Sequence, residues 1–250
     1  MKPLFAQTVL LTRPVSQQEP LRTLLQDAGA EVLSQPAIEI RPPKSWERVD
    51  DVLHRLDSFD WIVFASANGV PFFLDRCRTA RFPKICAVGP GTAAELENRG
   101  KRVGRIPQPH TAEGVVAALA PEAEAGQRIL LVRASRGRDF MYKKLSAIHP
   151  DENGVEEIVA YESVDVDKPE PQIVSLMESG RIDWTTCTSS AIAASLVRMF
   201  GECLRKTKLV SISPITTETI RRFGFENIVE SRNATMPGIF ETIIQLKNSC

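Results

Sequence analysis

The strongest constraint on this chain is that much of it occurs twice. Segments 84–119 and 208–243 share one layout: a short apolar run, a turn, a Thr opening a helix, a helix-ending Gly, a second apolar run and a Thr-x-x-Gly helix start. Thr92 and Thr216, Gly100 and Gly224, Thr111 and Thr235, and Gly114 and Gly238 all lie 124 residues apart. Trp61 and Ser66 match Trp184 and Ser189 at a spacing of 123, and LLTR at 10–13 matches LLVR at 130–133 at 120. A duplicated unit of this size predicts two related domains, and 250 residues is near the length at which one core splits into two.

The apolar runs are short and the stretches between them have helical spacing. Strands are expected at 8–11, 30–33, 61–65, 85–88, 103–106, 128–132, 155–161, 184–187, 209–212 and 228–229. Between them, helices are expected at 17–28 with Gly29 closing, from Ser45, from Ser66, near Gly91, from Thr111, at 137–148 and 173–180, and from Ser189, Ile215 and Thr235. Near-continuous apolar strands such as WIVFA are those of a sheet buried on both faces. The fold class is therefore α/β, with two flavodoxin-like or Rossmann-like parallel-sheet domains from an internal duplication.

Charge and composition narrow the chemistry. Lys and Arg balance Asp and Glu at 31 each, so a general basic face for nucleic acid is not expected. No run approaches a membrane span, and MKPLFAQTVLL has no signal-peptide core, which sets the expectation of a cytoplasmic protein. Five scattered cysteines, Cys77, Cys86, Cys187, Cys203 and Cys250, read as reduced and structural. The three histidines are far apart, so no metal site is expected. Gly89-Pro90-Gly91-Thr92-Ala93-Ala94 resembles a dinucleotide-binding turn, but the second copy does not keep it and no acid ends the strand at 103–106. A cofactor-using oxidoreductase is thus the weakest reading.

Ser66, Thr92, Thr111, Ser189, Thr216 and Thr235 stand where strands pass into helices. Helix starts offer unpaired amides and a positive partial charge, which suits carboxylates; Ser and Thr are also ordinary caps with no ligand, and the residues alone leave both open. Arg13, Arg133, Arg136 and Arg138 follow the matched strands and are candidates to gather at a sheet edge, or to sit in a solvated loop. Tyr161, one of two tyrosines, has either a proton-donating role or a packing one.

Several motifs in order, LLTRP at 10–14, FASANGV at 64–70, AVGPGTAAEL at 87–96, the Gly100 to Gly114 run ending TAEG, RGRDF at 136–140 and VAYES at 159–163, resemble uroporphyrinogen-III synthase over essentially the whole chain. The resemblance implies two α/β domains, 1–37 with 165–250 and 38–164, joined by two extended crossing segments near 36–40 and 161–166, with the active site between them. It implies a cofactor-independent lyase of tetrapyrrole and heme biosynthesis. Linear hydroxymethylbilane would lose water to an azafulvene, attack through a spiro intermediate and close as uroporphyrinogen III with ring D inverted. By the same resemblance Tyr161 would assist departure of the hydroxyl. Arg13, Ser66, Thr92, Arg138, Ser189 and Thr216 would bind the substrate, a linear tetrapyrrole polycarboxylate. Ser213 and Ile215 depart from the family pattern at the turn before Thr216. A monomer, without nucleic-acid or membrane partners, is expected, with a transient hand-over from hydroxymethylbilane synthase. The alternative from another class is a non-catalytic two-lobed binding protein for an anionic small molecule.

Overall fold

The computed structural model describes residues 2–79 and 81–248. Among these, ten strands follow in chain order: β1 (Thr8–Leu11), β2 (Glu31–Ser34), β3 (Ile38–Arg41), β4 (Trp61–Phe64), β5 (Lys84–Ala87), β6 (Ile129–Ala134), β7 (Val155–Asp165), β8 (Trp184–Cys187), β9 (Lys208–Ser211) and β10 (Ile228–Glu230). The helices are α1 (Glu19–Asp27), α2 (Glu47–His54), α3 (Gly69–Leu74), α4 (Pro90–Asn98), α5 (Ala112–Glu124), α6 (Phe140–Ile148), α7 (Pro171–Glu178), α8 (Ser190–Phe200), α9 (Pro214–Arg222) and α10 (Met236–Asn248). The chain divides into two compact units, Met1–Glu39 with Val164–Cys250, and Ile40–Ser163. It passes between them within the extended segments β3 and β7.

The discontinuous unit carries a sheet in the order β2-β1-β8-β9-β10, every neighbouring pair parallel. This is the flavodoxin-like order. The contiguous unit carries β5-β4-β6-β7, also all parallel, with β3 added outside β7. Matching β1 with β6, β2 with β7, β8 with β4 and β9 with β5 makes the two sheets the same in space. In one copy the first two strands open the chain; in the other they close the unit.

The copies agree down to single hydrogen bonds. The indole N–H of Trp61 donates to Gln127 Oε1 and that of Trp184 to Gln7 Oε1, both at 2.9 Å. Asp60 accepts from the Arg128 amide at 2.9 Å, and Asp183 from the Thr8 amide at 2.7 Å. Thr111 Oγ1 accepts from the Gly114 amide at 3.2 Å, and Thr235 Oγ1 from the Gly238 amide at 3.1 Å. These are side-chain caps of α5 and α10, satisfying a donor that a helix start leaves unpaired.

Alternation along β4 divides the core of the contiguous unit. Ile62 and Phe64 pack on one face with Val70, Phe73, Leu96 and Ile158, while Trp61 and Val63 pack on the other with Val115, Leu119 and Leu145. Phe64 and Phe73 are fully buried and meet edge to face at 5.6 Å; each such side chain contributes about 1.5–3 kcal/mol by burial. In the other unit Leu21 and Leu25 of α1 and Ile239 and Ile243 of α10 close over Val9, Leu11 and Trp184. Cys77, Cys86, Cys187 and Cys203 are free thiols; Cys250 lies outside the described residues. Burial pushes the Cys86 and Cys187 thiols up to about 12, so both stay protonated.

Three local expectations are corrected. Segment 103–106 is not a strand but a single bridge between Cys86 and Arg105. The amides of Gly104 and Arg105 both turn to Ile85 O, and Pro107 has no N–H with which to extend the ladder. Its counterpart β10 lacks both Gly and Pro and forms a strand. Thr92 and Thr216 are not caps: Pro90 and Pro214 take the first helical position after Gly89 and Ser213, which leaves each Thr in the first turn. The helix expected from Gly137 begins at Phe140, beyond a Gly137 held at φ 136°.

Candidate functional site

In the contiguous unit, strand order reverses between β6 and β4, since the chain runs outward to β7 on one side and to β5 on the other. In open α/β sheets this switch point is where a crevice forms at the carboxyl ends of the strands. Ala65 and Ser66 leave β4 there. Pairing of β6 with β7 slips at this level: Arg133 pairs with Val159, but Ala134 pairs with Tyr161. The extra residue, Ala160, breaks the alternation, so Ile158, Ala160 and Tyr161 all join the same core face. A bulge of this kind re-aims a side chain. Here it turns the phenol of Tyr161 over α3.

The Tyr161 ring stacks on Phe72 with centroids 6.0 Å apart, and its hydroxyl lies 2.8 Å from Ser66 Oγ. This overturns the expectation that Ser66 caps a helix. α3 starts at Gly69 after Asn68, without a side-chain cap, because the Ser66 hydroxyl is engaged with the phenol. The phenol is 5% exposed, and this burial raises its pKa above the ordinary 10; hydrogen bonds from Ser66 and Asn68 and the charge of Arg136 pull the other way without prevailing. At neutral pH Tyr161 is therefore a proton-bearing donor in an apolar setting. Asn68 and Phe72 complete the surroundings of the phenol and were not singled out by the sequence; Asn68 stands in FASANGV, and Phe72 lies two residues beyond it.

The other unit has its switch point between β1 and β8. Thr12 and Arg13 leave β1 there, and Thr188 and Ser189 leave β8. Ser189 caps α8, accepting from the Ile192 amide at 3.2 Å, as expected. Arg13 is half-buried; its Nη2 donates to the neutral Gln17 Oε1 at 2.7 Å, and burial lowers its pKa from the ordinary guanidinium value. Thr216 is buried one strand over, its hydroxyl 3.1 Å from Ser213 Oγ.

The remaining arginines do not gather. Arg133 forms a bidentate pair with Glu157 at 2.8 Å and reaches Asp139, which reads as a structural bond. Arg136 donates to the Ser163 carbonyl. Arg138 is 69% exposed, pairs with Glu113 at 2.8 Å and lies over the Phe140 ring. Thr92 is buried in the first turn of α4. Among the described residues there is no His, Cys, Asp and Glu group able to hold a metal, and no helix is long and apolar enough to cross a membrane.

A family model described as uroporphyrinogen-III synthase HemD matches residues 19–241. The chain belongs to the uroporphyrinogen-III synthase family. It is 29% identical to the uroporphyrinogen-III synthase of Synechococcus elongatus, covering 98% of this chain and 97% of that one. It is 27% identical to a putative uroporphyrinogen-III synthase of Methanothermobacter thermautotrophicus, over 89% and 92%. Among solved structures, a mutant uroporphyrinogen III synthase from Thermus thermophilus superposes with a TM-score of 0.64 at 13% identity, covering 97% of this chain and 99% of that one. The uroporphyrinogen-III synthetase of Helicobacter pylori superposes at 0.60 and 14%, over 96% and 99%. At such identities these two speak for the fold, which is the expected pair of α/β domains. A uroporphyrinogen-III synthase is a lyase that cyclises hydroxymethylbilane in porphyrin and heme biosynthesis, acting on a tetrapyrrole. Neither the family match nor the relatives support the alternative of a non-catalytic binding protein.

Proposed function

We propose that Tyr161 is the group that assists loss of the hydroxyl from hydroxymethylbilane, and that Arg13, Ser66, Thr92, Arg138, Ser189 and Thr216 hold the substrate. The observation that carries this reading is the buried phenol with its hydroxyl 2.8 Å from Ser66 Oγ. As the electron-rich pyrrole expels the hydroxyl, the carbon–oxygen bond breaks and the oxygen takes both electrons. A protonated phenol donates a hydrogen bond to that oxygen, and Ser66 Oγ donates to the phenol oxygen as charge builds on it. The azafulvene is attacked by the substituted carbon of ring D. The spiro intermediate fragments and recloses, and the proton lost from ring D balances the departed hydroxide as water. Unassisted closure gives the unrotated isomer, so the larger task is holding the chain in the conformation that reacts.

Arg138 suits a carboxylate partner because its present ion pair is exposed, worth at most about 1 kcal/mol, and thus exchangeable for a substrate carboxylate. Ser189 and the first turns of α4 and α9 place hydroxyls beside helix-start amides, which favour anions. The enzyme acts as a cytoplasmic monomer that receives the bilane from hydroxymethylbilane synthase.

The pH profile tests the role of Tyr161. Its pKa lies above 10, so kcat is expected to stay level from neutral pH to about 10 and to fall beyond it as the phenol ionises. The formation rate of isomer III, less the enzyme-free background, measures this. A basic limb that persists unchanged in Tyr161→Phe removes Tyr161 from the step.

A further inference from the structure

We propose that Thr188 and Arg13 together form a seat for one substrate carboxylate at the β1/β8 switch point, which makes Thr188 a substrate-binding residue. The inference rests on the assignment of the substrate above, and extends it to a residue with no motif of its own.

Four buried threonines stand on or just beyond β1 and β8, and three are satisfied. Thr12 Oγ1 donates to Thr186 O at 2.5 Å, Thr186 Oγ1 donates to Leu10 O at 3.2 Å, and Thr185 Oγ1 pairs with Thr207 Oγ1 at 3.1 Å. Thr188 is only 7% exposed, yet its Oγ1 has no partner. A buried hydroxyl without a hydrogen bond costs about 1–3 kcal/mol, so each one in a native fold calls for a reason. Arg13 Nε is likewise buried and unpartnered. Strand pairing of Val9 with Trp184 and Leu10 with Thr185 makes β1 and β8 neighbours, and Arg13 and Thr188 follow their carboxyl ends.

Two lone donors thus follow neighbouring strands at the carboxyl edge of the sheet, where Ser189 opens the eleven-residue α8 and the helix start adds positive potential. An N–H of a guanidinium and an O–H of a threonine suit the two oxygens of one carboxylate. Exposed apolar side chains follow the two strands that flank β8: Val15, just after β1, is 68% exposed, and Ile215, in the first turn of α9 after β9, is 63% exposed. A flat, apolar ring bearing short carboxylate arms, the chemistry of a carboxyalkyl pyrrole, suits these side chains together with the two donors. A free inorganic anion would use the donors alone.

Thr188→Val keeps the shape and removes the hydroxyl. Because the free enzyme loses no hydrogen bond, its melting temperature should stay level or rise. The KM for hydroxymethylbilane should rise about ten-fold, the loss of one charge-assisted hydrogen bond, with kcat and the share of isomer III kept. Thr188→Ser should restore KM. Arg13→Gln should also raise KM, and the double variant should cost less than the product of the two. An unchanged KM in Thr188→Val, a fall in melting temperature, or a drop in kcat alone would each overturn the seat. If the Tyr161 assignment fails instead, that appears in the kcat of Tyr161→Phe and leaves the KM of Thr188→Val raised.

Discussion

Replacing Gly114 with alanine is expected to cost about 3 kcal/mol or more, the upper range for overpacking. A Cβ at this position would lie 1.9 Å from the carbonyl oxygen of Pro109, a backbone atom that cannot swing aside. That carbonyl is fixed by accepting the Thr111 amide at 2.8 Å, and Thr111 in turn caps Gly114. The side chain therefore has nowhere to go unless the cap opens. In a chain of this size such a loss corresponds to a fall in melting temperature of roughly 10 °C. Gly238 repeats the arrangement, its Cβ 2.3 Å from Asn233 O, and should behave alike. Gly91, with nothing within 4 Å, is the control: alanine there should change stability by under about 0.5 kcal/mol. Thermal melts of the three variants check this, and a Gly114→Ala protein melting within 2 °C of wild type, a shift below about 1 kcal/mol, would show that the Pro109 turn yields at little cost.

Tyr161→Phe should lower kcat by a few tens-fold, short of the roughly 10² to 10⁴ of an obligatory general acid, because the pyrrole itself drives the hydroxyl out. KM should move little, and the product should remain mainly isomer III. The stack on Phe72 survives the change and Ser66 is only half-buried, so its hydroxyl keeps access to water and the fold should lose about 1 kcal/mol at most. The measurement is the rate of isomer III formation with circular dichroism as a check on folding. A folded but inert variant would show that proton donation, not conformation, governs the reaction.

Two short strands were legible to the residue, 8–11 and 184–187, which coincide with β1 and β8; in β8 the β-branched Thr185 and Thr186 take the place of apolar residues. The Thr-x-x-Gly starts were legible because cap and close approach are both local. The bond between Ser66 and Tyr161 was not, since it joins residues 95 apart and depends on the bulge at Ala160, which no residue type announces. Ser66 has the spacing of a cap and is diverted by a tertiary partner. The missing strand at 103–106 carried its own warning in Gly104 and Pro107, which the duplication outweighed. The isolation of Thr188 could not be read at all, because an unmade bond leaves no pattern in a sequence.

The exchange of the first two strands between the copies has a consequence for the order in which the protein is made. Residues 40–163 hold four mutually parallel strands and their helices in one run, so that unit has its whole core once synthesis passes β7. The other begins with β1 and β2, but β1 needs β8, and the bond from the Thr8 amide to Asp183 spans 175 residues. Such long closure delays folding, and segments fold as units during synthesis. Ribosome-arrested chains ending shortly after β7 should therefore already protect Ile40–Ser163 from protease while leaving residues 2–35 open to cleavage. β1 can pair with β2 as soon as both are made, but its other edge waits for β8, and until then that apolar edge stays unpaired.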